Sequence, residues 1–507
     1  MHDGLHDGSM APGDPGSAPV LPSDEVCERA RLARDARYDG RFFVGVLTTG
    51  IYCRPVCPAR APARQNVRYF ASAAAASQAG LRPCLRCRPE TAPGSAAWRG
   101  TSAVVSRALH LIDDGALDSG SVDDLAARLG ITARHLHRLF LQHVGAGAQA
   151  VAITRRLHFA KQLLDDTRMS VRDIATAAGF GSQRQLHALV QRTWGRSPRA
   201  LRAGGSRAAR TAMDGPDAGL RLRLAARPPF DGAAVCAWLA PRLVPGVESA
   251  TAGDVPGYAR RLPDSGELRV AVGMHGDMHG DWHGVEVGLT GVRPERLLDV
   301  TGRVRRVFDL ACDPDAVAAV LGRDRLLGPL LERWPGTRIP GAWDGFELAV
   351  RAILGQQVSV AAATTLAGRL AAHLGDGAGY PTPGRLAGAS DAALGQIGLP
   401  ARRAQALRAL AHASAAGRLD FGAPERLRAE LLTLPGVGPW TAEYIALRGA
   451  GDPDAFPASD LGLRKALGLA LGGPPVSECA LAARAEAWRP WRGYAAMLLW
   501  RSLGTGG

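Results

Sequence analysis

The segment TTGIYCRPVCPAR, residues 48–60, decides how the first part of this chain folds, because it carries two cysteines with three residues between them. A second close pair lies in RPCLRC, residues 82–87, and 26 residues separate the two pairs. Two such pairs can converge on one tetrahedral zinc ion, with Zn–S bonds of about 2.3 Å. The predicted ligands are Cys53, Cys57, Cys84 and Cys87.

Two disulfides are the alternative use of these four cysteines. The first 20 residues are acidic and rich in His and Gly, without the apolar core of a secretion signal. This composition predicts a cytoplasmic protein, and the reducing cytosol favours zinc over disulfides. No apolar run of 18 residues occurs, so we expect no membrane span. Four further cysteines lack ligand-like spacing and are predicted to be buried thiols: Cys27, Cys236, Cys312 and Cys479.

The positive charge of the chain indicates a polyanionic partner. The 507 residues carry a formal net charge of +14. Residues 51–100 hold eight Arg against one Glu, and residues 151–210 hold twelve Arg or Lys against three Asp. A single Arg is usually part of a solvated surface, but two concentrated basic segments favour nucleic acid as the partner.

The length and the changing residue patterns predict a multidomain, mainly α protein. Segments rich in Gly, Pro and Ser mark the boundaries between its parts. The predicted units are a disordered tail at 1–22, a small α/β zinc domain at 23–92, an all-α domain at 97–203, a linker at 204–217, an α/β subdomain at 218–335 and a second all-α domain at 336–507.

Three histidines recur at intervals of four within residues 274–283. A glycine follows each of them, and glycine disfavours the helix that would bring the three onto one face. The segment therefore predicts a surface loop rather than a metal site.

Two helix-turn-helix patterns lie in tandem between residues 101 and 203. In the first, Ser121 caps an apolar-periodic helix that ends at Gly130, and a second helix begins at Thr132. The arrangement recurs from Ser170. One such unit is equally consistent with an ordinary helical hairpin, but two in tandem favour a reader of DNA major grooves. The predicted DNA-facing residues are Arg134, His135, Arg138, Gln183 and Arg184.

With the tail GRSPRALR at 195–202, the stretch 101–202 resembles the AraC-type DNA-binding domain, in which both recognition helices enter successive major grooves. Residues 24–90 resemble the N-terminal zinc domain of the Ada family of bacterial alkylation-response proteins. The two resemblances imply a promoter-binding activator that works with RNA polymerase, and we expect a monomer. The second also implies that Cys53 accepts a methyl group from a DNA methylphosphotriester, once per molecule.

The implied methyl transfer agrees with zinc–thiolate chemistry. A zinc-bound cysteine is deprotonated at neutral pH and remains nucleophilic. Four thiolates and Zn²⁺ sum to a charge of about −2, and methylation of one thiolate gives about −1, which repels phosphate less. The alternative is a purely structural zinc knuckle. The Pro-Cys-His-Arg motif of the Ada alkylguanine methyltransferase domain does not occur in the sequence, and the predicted phosphate contacts are Arg54, Arg60 and Arg64.

LPGVGPWTA, residues 434–442, has the pattern of a helix-hairpin-helix. Gly436 and Gly438 permit a tight turn whose backbone N–H groups face a DNA phosphate, and Thr441 lies at the start of the next helix. Downstream, Asp460 lies at a predicted helix start, where the simplest role of an aspartate is to cap the helix.

These two motifs, with RAILGQQVSV at 351–360 and WRPWRGYA at 488–495, resemble the AlkA family of 3-methyladenine DNA glycosylases over residues 218–503. The resemblance implies a TATA-binding-protein-like α/β subdomain followed by a helix-hairpin-helix glycosylase domain. It implies that Asp460 stabilises the oxocarbenium-like sugar when a flipped nucleotide loses its base. It further implies a wedge at Gln357, where the family has a leucine, and a base pocket walled by Trp440, Tyr444 and Trp500.

One absence separates this chain from related glycosylases. Bifunctional members carry a Schiff-base lysine in the hairpin motif, where this chain has Trp440, so we expect a monofunctional enzyme without strand cleavage. The same absence disfavours a glycosylase for oxidised bases. We expect one chain that senses methylated DNA, regulates transcription and excises alkylated bases such as 3-methyladenine. The alternative is a regulator whose glycosylase half only binds DNA.

Overall fold

The computed structural model describes residues 21–92, 103–113, 115–203, 219–251, 257–262, 266–277, 280–375 and 379–504. Most of the predicted disordered tail and the whole predicted linker at 204–217 lie outside the described residues. Among the helices of the described part, none is both long enough and apolar enough to cross a membrane.

The zinc module, residues 21–92, is a small sheet with two helices. Its elements are α1 (Asp24–Ala33), β1 (Phe43–Val46), β2 (Ile51–Cys53), β3 (Val67–Phe70), α2 (Ala73–Gln78) and β4 (Arg82–Pro83). The strand order is β3-β1-β2-β4; β1 is antiparallel to both of its neighbours, and β2 is parallel to β4. Its buried side chains form two small clusters, one around Phe42 and Tyr69 and one around Phe43 and Tyr52. So small a core predicts dependence on a bound metal.

The helical module follows at residues 103–203. Its helices are α3 (Ala103–Asp113), α4 (Ala116–Ser119), α5 (Val122–Arg128), α6 (Ala133–Val144), α7 (Ala148–Asp166), α8 (Val171–Ala177), α9 (Gln183–Trp194) and α10 (Pro198–Ala203). Ser121, Thr132, Ser170 and Ser182 each cap a helix by accepting a hydrogen bond from the backbone N–H three residues on. The long α7 connects the pairs α5–α6 and α8–α9, so the two predicted helix-turn-helix units share one central helix.

The α/β region contains a five-stranded antiparallel sheet of order β5-β9-β8-β7-β6. Its elements are β5 (Leu220–Ala225), α11 (Gly232–Leu239), β6 (Glu248–Thr251), β7 (Gly257–Leu262), β8 (Gly266–Asp277), β9 (Gly280–Thr290), α12 (Leu297–Val307), α13 (Pro314–Leu321) and α14 (Leu327–Arg333). Met274 pairs with His283 and Asp277 with Gly280. The loop predicted at 274–283 is therefore wrong for residues 274–277 and 280–283, because glycine disfavours helices but permits extended strands. Residues 278 and 279 lie outside the described part of the chain.

The C-terminal part is helical, as predicted. Its helices are α15 (Gly345–Leu354), α16 (Val360–Leu374), α17 (Pro383–Ala387), α18 (Asp391–Gln396), α19 (Ala401–Ala415), α20 (Pro424–Leu432), α21 (Pro439–Arg448), α22 (Leu461–Ala470), α23 (Glu478–Ala485) and α24 (Arg492–Ser502). Cys479, in the first turn of α23, is exposed, so its prediction as a buried thiol is wrong. Cys27, Cys236 and Cys312 are buried.

Two hydrophobic cores join these regions. The larger unites side chains of α7–α10, such as Leu163, with those of the five-stranded sheet, such as Val287, and those of α22–α24, such as Leu498. The second lies among α15–α21 and includes Val244 from the α/β region. The last helices therefore pack on the α/β region, although α15–α21 separate the two in sequence.

Arginines fix the zinc module to the α/β region. Arg227 is fully buried and donates from Nε to the Asp39 carbonyl at 3.1 Å and from Nη1 to the Cys312 carbonyl at 3.3 Å. Arg41 forms an ion pair with Asp313. Both arginines bridge residues that lie far apart in sequence, so these two parts of the chain form one contact surface.

Polar contacts also fix the zinc module to α7. The Tyr52 hydroxyl lies 3.1 Å from Nε2 of His158, and Nζ of Lys161 lies 3.4 Å from the Glu90 carboxylate. Burial lowers the pKa of His158 to about 4. Burial alone would raise the pKa of Glu90, but Lys161 and Arg88 lower it below its ordinary value. Glu90 and Lys161 therefore form a buried ion pair between the zinc module and α7.

Candidate functional site

The four predicted ligand cysteines converge at one edge of the small sheet. Cys53 ends β2 and Cys84 directly follows β4, and because these strands run parallel their ends meet. Cys57 and Cys87 lie in the turns that follow. The four Sγ atoms all lie within 4.8 Å of one another, and all four cysteines are free rather than disulfide-bonded. This is the donor set and the spacing that a tetrahedral zinc ion requires.

The ligands differ in exposure. Cys84 and Cys87 are buried, whereas Cys53 and Cys57 are partly exposed. Arg54, predicted as a phosphate contact, donates from its backbone N–H to Sγ of Cys87 at 3.3 Å and from its side chain to the Cys87 carbonyl at 3.2 Å. The same guanidinium forms an ion pair with Asp39. The structure therefore places the partly exposed Arg54 beside the ligand cluster, where it holds the Cys87 turn.

The two other predicted phosphate contacts lie at the surface. Arg60 is exposed, close in sequence to Cys57. Arg64 is exposed and pairs with Asp24, while its Nη1 donates to the Val67 carbonyl at 3.0 Å. Arg60 is thus the better placed of the two to meet a phosphate near the cluster.

The predicted DNA-facing residues of the helical module lie at the start of each second helix. Arg134 and Arg138 are exposed on α6, and Nη2 of Arg138 lies 3.0 Å from Nδ1 of the half-buried His135. Gln183 and Arg184 are exposed on the first turn of α9. The opposite faces of both helices are buried in the protein, so these first turns are available for a major groove.

The hairpin between α20 and α21 has the predicted tight turn. Gly436 adopts φ +77°, in the left-handed region that glycine tolerates, and a Cβ there would lie 3.1 Å from the Ala406 side chain. Gly438 caps α21. Thr441, predicted to contact DNA, is only 2% exposed, and its hydroxyl accepts a hydrogen bond from Gln356 at 3.0 Å. The turn backbone rather than the Thr441 side chain is therefore the exposed part of this motif.

Three donors hold the Asp460 carboxylate. Oδ2 accepts from Nε1 of Trp440 at 2.8 Å, and Oδ1 accepts from Nε1 of Trp500 at 2.9 Å and from the backbone N–H of Leu463 at 2.9 Å. Asp460 is therefore the cap of α22, as the simplest interpretation expected, and also a carboxylate fixed between two aromatic rings.

Aromatic rings cluster around Asp460. Trp440 stacks on Tyr444, with ring centroids 5.2 Å apart and planes 10° apart. Trp500 packs against Trp238, with centroids 5.6 Å apart. This cluster, the predicted base pocket, contains the three predicted aromatic residues together with Trp238, which comes from α11 and follows no motif in the sequence.

Two arginines that the sequence analysis does not predict also lie at this cluster. Nη1 of Arg448 donates to the Tyr444 hydroxyl at 2.7 Å, and the Arg242 guanidinium lies 4.1 Å from the centre of the Trp238 ring. Burial alone would raise the pKa of Tyr444, but Arg448 and Arg242 lower it below its ordinary value. Burial lowers the pKa of Arg242 to about 10. Arg448 lies one helical turn after Tyr444, a spacing that could have indicated it.

Gln357 lies at the tip of the turn between α15 and α16. It is exposed and adopts φ +56°, in the left-handed region. Its neighbour Gln356 contacts the hairpin through its side-chain amide. The predicted wedge and the hairpin therefore lie side by side on one surface.

The fold and these sites define a class: a zinc-binding, DNA-reading regulator joined to a helix-hairpin-helix DNA glycosylase. Family models match all four parts. They are the metal binding domain of Ada at residues 26–90, a helix-turn-helix domain at 125–204, the AlkA N-terminal domain at 221–344 and the HhH-GPD superfamily of base excision DNA repair proteins at 350–491. The predicted resemblances, the fold class and the zinc cofactor are thereby confirmed.

The chain is 44% identical over 495 residues to the probable bifunctional transcriptional activator/DNA repair enzyme AlkA of Mycobacterium tuberculosis, over 94% of this chain and 96% of that protein. It belongs to that family. It is also 37% identical to DNA-3-methyladenine glycosylase 2 of Escherichia coli, over 55% of this chain and 96% of that protein. Its first part is 34% identical to the E. coli bifunctional transcriptional activator/DNA repair enzyme Ada, over 36% of this chain and 50% of that protein.

Proposed function

We propose that Cys53 accepts a methyl group from a DNA methylphosphotriester. The Cys53 sulfur attacks the methyl carbon, a C–S bond forms as the C–O bond breaks, and the phosphate oxygen keeps the electron pair as an ordinary diester anion. A bound Zn²⁺ keeps the thiol ionised at neutral pH. The observation that supports this proposal is the partial exposure of Cys53, in contrast to the buried Cys84 and Cys87 of the same cluster.

Cys57 is also partly exposed, so the experiment must separate the two. Duplex DNA with radiolabelled methylphosphotriesters is incubated with the wild type, Cys53→Ser and Cys57→Ser, and mass spectrometry locates the methyl group. We expect transfer to Cys53, no acceptance by Cys53→Ser, and retained zinc-dependent acceptance by a zinc-loaded Cys57→Ser. Undiminished acceptance by Cys53→Ser would refute the assignment.

The methylated form is proposed to bind promoter DNA through α6 and α9 and to activate transcription with RNA polymerase, as a cytoplasmic monomer. The reason is electrostatic: loss of one thiolate charge reduces the repulsion of phosphate. Exposed Arg134, Arg138 and Arg184 supply cations at the recognition helices. Binding of a promoter fragment is expected to tighten after methylation and to weaken steeply with salt, which a fluorescence titration at several ionic strengths tests.

The glycosylase half is proposed to release alkylated purines such as 3-methyladenine. The extruded base stacks in the pocket of Trp440, Tyr444, Trp238 and Trp500, and the fixed Asp460 carboxylate stabilises the cationic sugar as the N-glycosidic bond breaks. Water then attacks the sugar. The three-donor fixation of Asp460 beside the stacked rings supports this role. The absence of a lysine in the hairpin motif supports base release without strand cleavage.

Release of 3-methyladenine and 7-methylguanine from methylated duplex DNA tests this proposal, with Asp460→Asn as the matched variant. Asn keeps the capping oxygen and the size of the side chain but removes the charge. We expect at least a roughly hundredfold loss of release. Equal release by both proteins would remove the catalytic role of Asp460, and no release by the wild type would favour a regulator whose glycosylase half only binds DNA.

The boundaries of the four predicted units stay a prediction. Residues 23–92 are proposed to accept the methyl group, and residues 97–203 to read DNA. Residues 218–335 are proposed to support the base pocket, and residues 336–507 to release the base.

A further inference from the structure

The turn that carries Gln357 is held in place by hydrogen bonds of the preceding residue, Gln356. The side-chain amide of Gln356 donates to the Gly436 carbonyl at 2.9 Å and to the Thr441 hydroxyl at 3.0 Å. On the other side, Nη2 of Arg403 donates to the Gln356 carbonyl at 2.7 Å. One residue therefore ties the α15–α16 turn both to the hairpin and to α19.

These contacts bear on the backbone strain of the next residue. Gln357 adopts φ +56°, a conformation that costs energy for any residue with a Cβ. Such strain persists only where the surroundings fix it and is concentrated at functional sites. Gln356, the residue before Gln357, is held by its own hydrogen bonds. Ser359, two residues after Gln357, caps α16 by accepting a hydrogen bond from the Ala362 N–H at 3.2 Å.

The strained residue is exposed rather than packed. Gln357 and Val358 both project from the surface, and Val358 is 37% exposed. They lie beside the hairpin whose turn backbone is proposed to meet a DNA phosphate. Gln357 is exposed, so burial of its side chain in the described part of the structure does not account for the strain. A role at the surface that the turn shares with the hairpin accounts for it best.

We propose that Gln356 is a positioning residue for base extrusion: its two side-chain hydrogen bonds hold Gln357 in the left-handed conformation that directs this side chain into the duplex. The role rests on the proposed glycosylase function. Gln356 itself touches neither base nor sugar and acts through Gln357. Its contribution should appear only where a base pair has to be opened.

The test compares release of 3-methyladenine from methylated duplex DNA with release from single-stranded DNA methylated in the same way. Gln356→Leu keeps the bulk and removes the amide. We expect about tenfold slower single-turnover release from duplex DNA and less than about twofold change with single strands, which need no extrusion. Thr441→Val removes one of the two acceptors and should give a smaller loss, while Asp460→Asn should fail on both DNAs.

A double-mutant cycle separates positioning from general damage to the fold. Gln357→Gly removes the inserted side chain and accepts a positive φ without strain. In that background Gln356→Leu should add little further loss, because no side chain remains to be positioned. Gln357→Asn, which tolerates the left-handed conformation and retains an amide, should restore most of the activity that Gln357→Gly lacks.

A fluorescence measurement reads the insertion directly. A duplex with an abasic-site analogue and a neighbouring 2-aminopurine should brighten when wild-type protein unstacks it, and should brighten less with Gln356→Leu at saturating protein. Equal losses on duplex and single-stranded DNA, or additive losses in the double variant, would overturn the positioning role while leaving the glycosylase function intact. Absence of release by the wild type from either DNA would instead overturn the proposed function itself.

Discussion

All four predicted zinc ligands come from residues 53–87, whereas the proposed base pocket takes Trp238 from the α/β region and Trp500 from the last helix. The ligands need only two short strands and their turns to meet. The pocket needs two hydrophobic cores, each built from side chains distant in sequence. The zinc site, whose ligands lie close together in sequence, can depend on its ion for folding. The proposed base pocket, whose residues come from distant parts of the chain, depends instead on hydrophobic packing that forms before DNA binds.

Removal of zinc should affect the two sites most differently. A chelator should unfold the zinc module, because metal binding supplies on the order of 10 kcal/mol to such small domains. Base release should change by less than about twofold, since the pocket draws on separate cores. Hydrogen exchange of β1–β4 and a base-release assay on the same sample measure both, and added zinc should restore exchange protection. Parallel loss of base release would show that the two sites share one folding unit.

The buried ion pair between Glu90 and Lys161 should give the next largest effect. Lys161→Met removes the lysine from the buried Glu90 and Asp165 carboxylates and leaves Arg88 to neutralise both, which should cost about 3 kcal/mol of the free energy of unfolding. Urea unfolding measures it. The double variant Lys161→Met/Glu90→Gln should recover part of the loss, because two buried carboxylates then no longer share the Arg88 guanidinium. No difference between the single and the double variant would count against a role for this pair.

Within the pocket, Trp238→Ala should lower kcat/KM for base release by about 10- to 100-fold, because stacking on an aromatic ring contributes about 1–3 kcal/mol per base. Trp238→Phe should retain most of the activity. Thermal unfolding of both variants serves as the control for packing. If Trp238→Ala releases base at the wild-type rate, the wall added by α11 has no part in base binding.

The smallest effect concerns pH. The pKa of His158 in the folded protein, about 4, lies below its ordinary value, so protonation favours the unfolded chain. Its stabilising contribution is complete above about pH 6.5 and decreases as the pH falls toward 4. Between pH 7.5 and 5 the zinc-loaded wild type should lose about 1–2 kcal/mol more than His158→Gln. Identical pH profiles of unfolding would contradict a buried neutral imidazole.

The zinc centre could be predicted fully from sequence and the pocket only in part, for a physical reason. Cysteine spacing fixes a metal site because thiols two or three residues apart reach one ion in almost any turn. Trp440, Tyr444 and Asp460 are predicted from the hairpin motif and the family resemblance. Trp238 and Arg242 are not, because they reach this cluster only when α11 packs beside the last helix, and periodicity in one segment carries no information about such contacts.

The differences between the expectations from sequence and the structure have the same origin. Glycine at 274–283 predicts a loop, yet β8 and β9 pair through residues 274–277 and 280–283. The Thr441 hydroxyl meets Gln356 from a segment far away in sequence, and its contact with DNA stays a prediction. The Arg54 guanidinium pairs with Asp39, and its contact with phosphate stays a prediction. Each case depends on a partner that local sequence does not reveal.

The contact of Arg227 between the zinc module and the α/β region has a consequence for how the two halves can be separated. Its guanidinium is sealed between the carbonyls of Asp39 and of Cys312, so a glycosylase half produced alone would expose a surface adapted to another module. Separation of the two halves would deprive this buried guanidinium of the Asp39 carbonyl, and an unpaired buried donor is costly. This contact therefore favours keeping the zinc module and the glycosylase half in one chain.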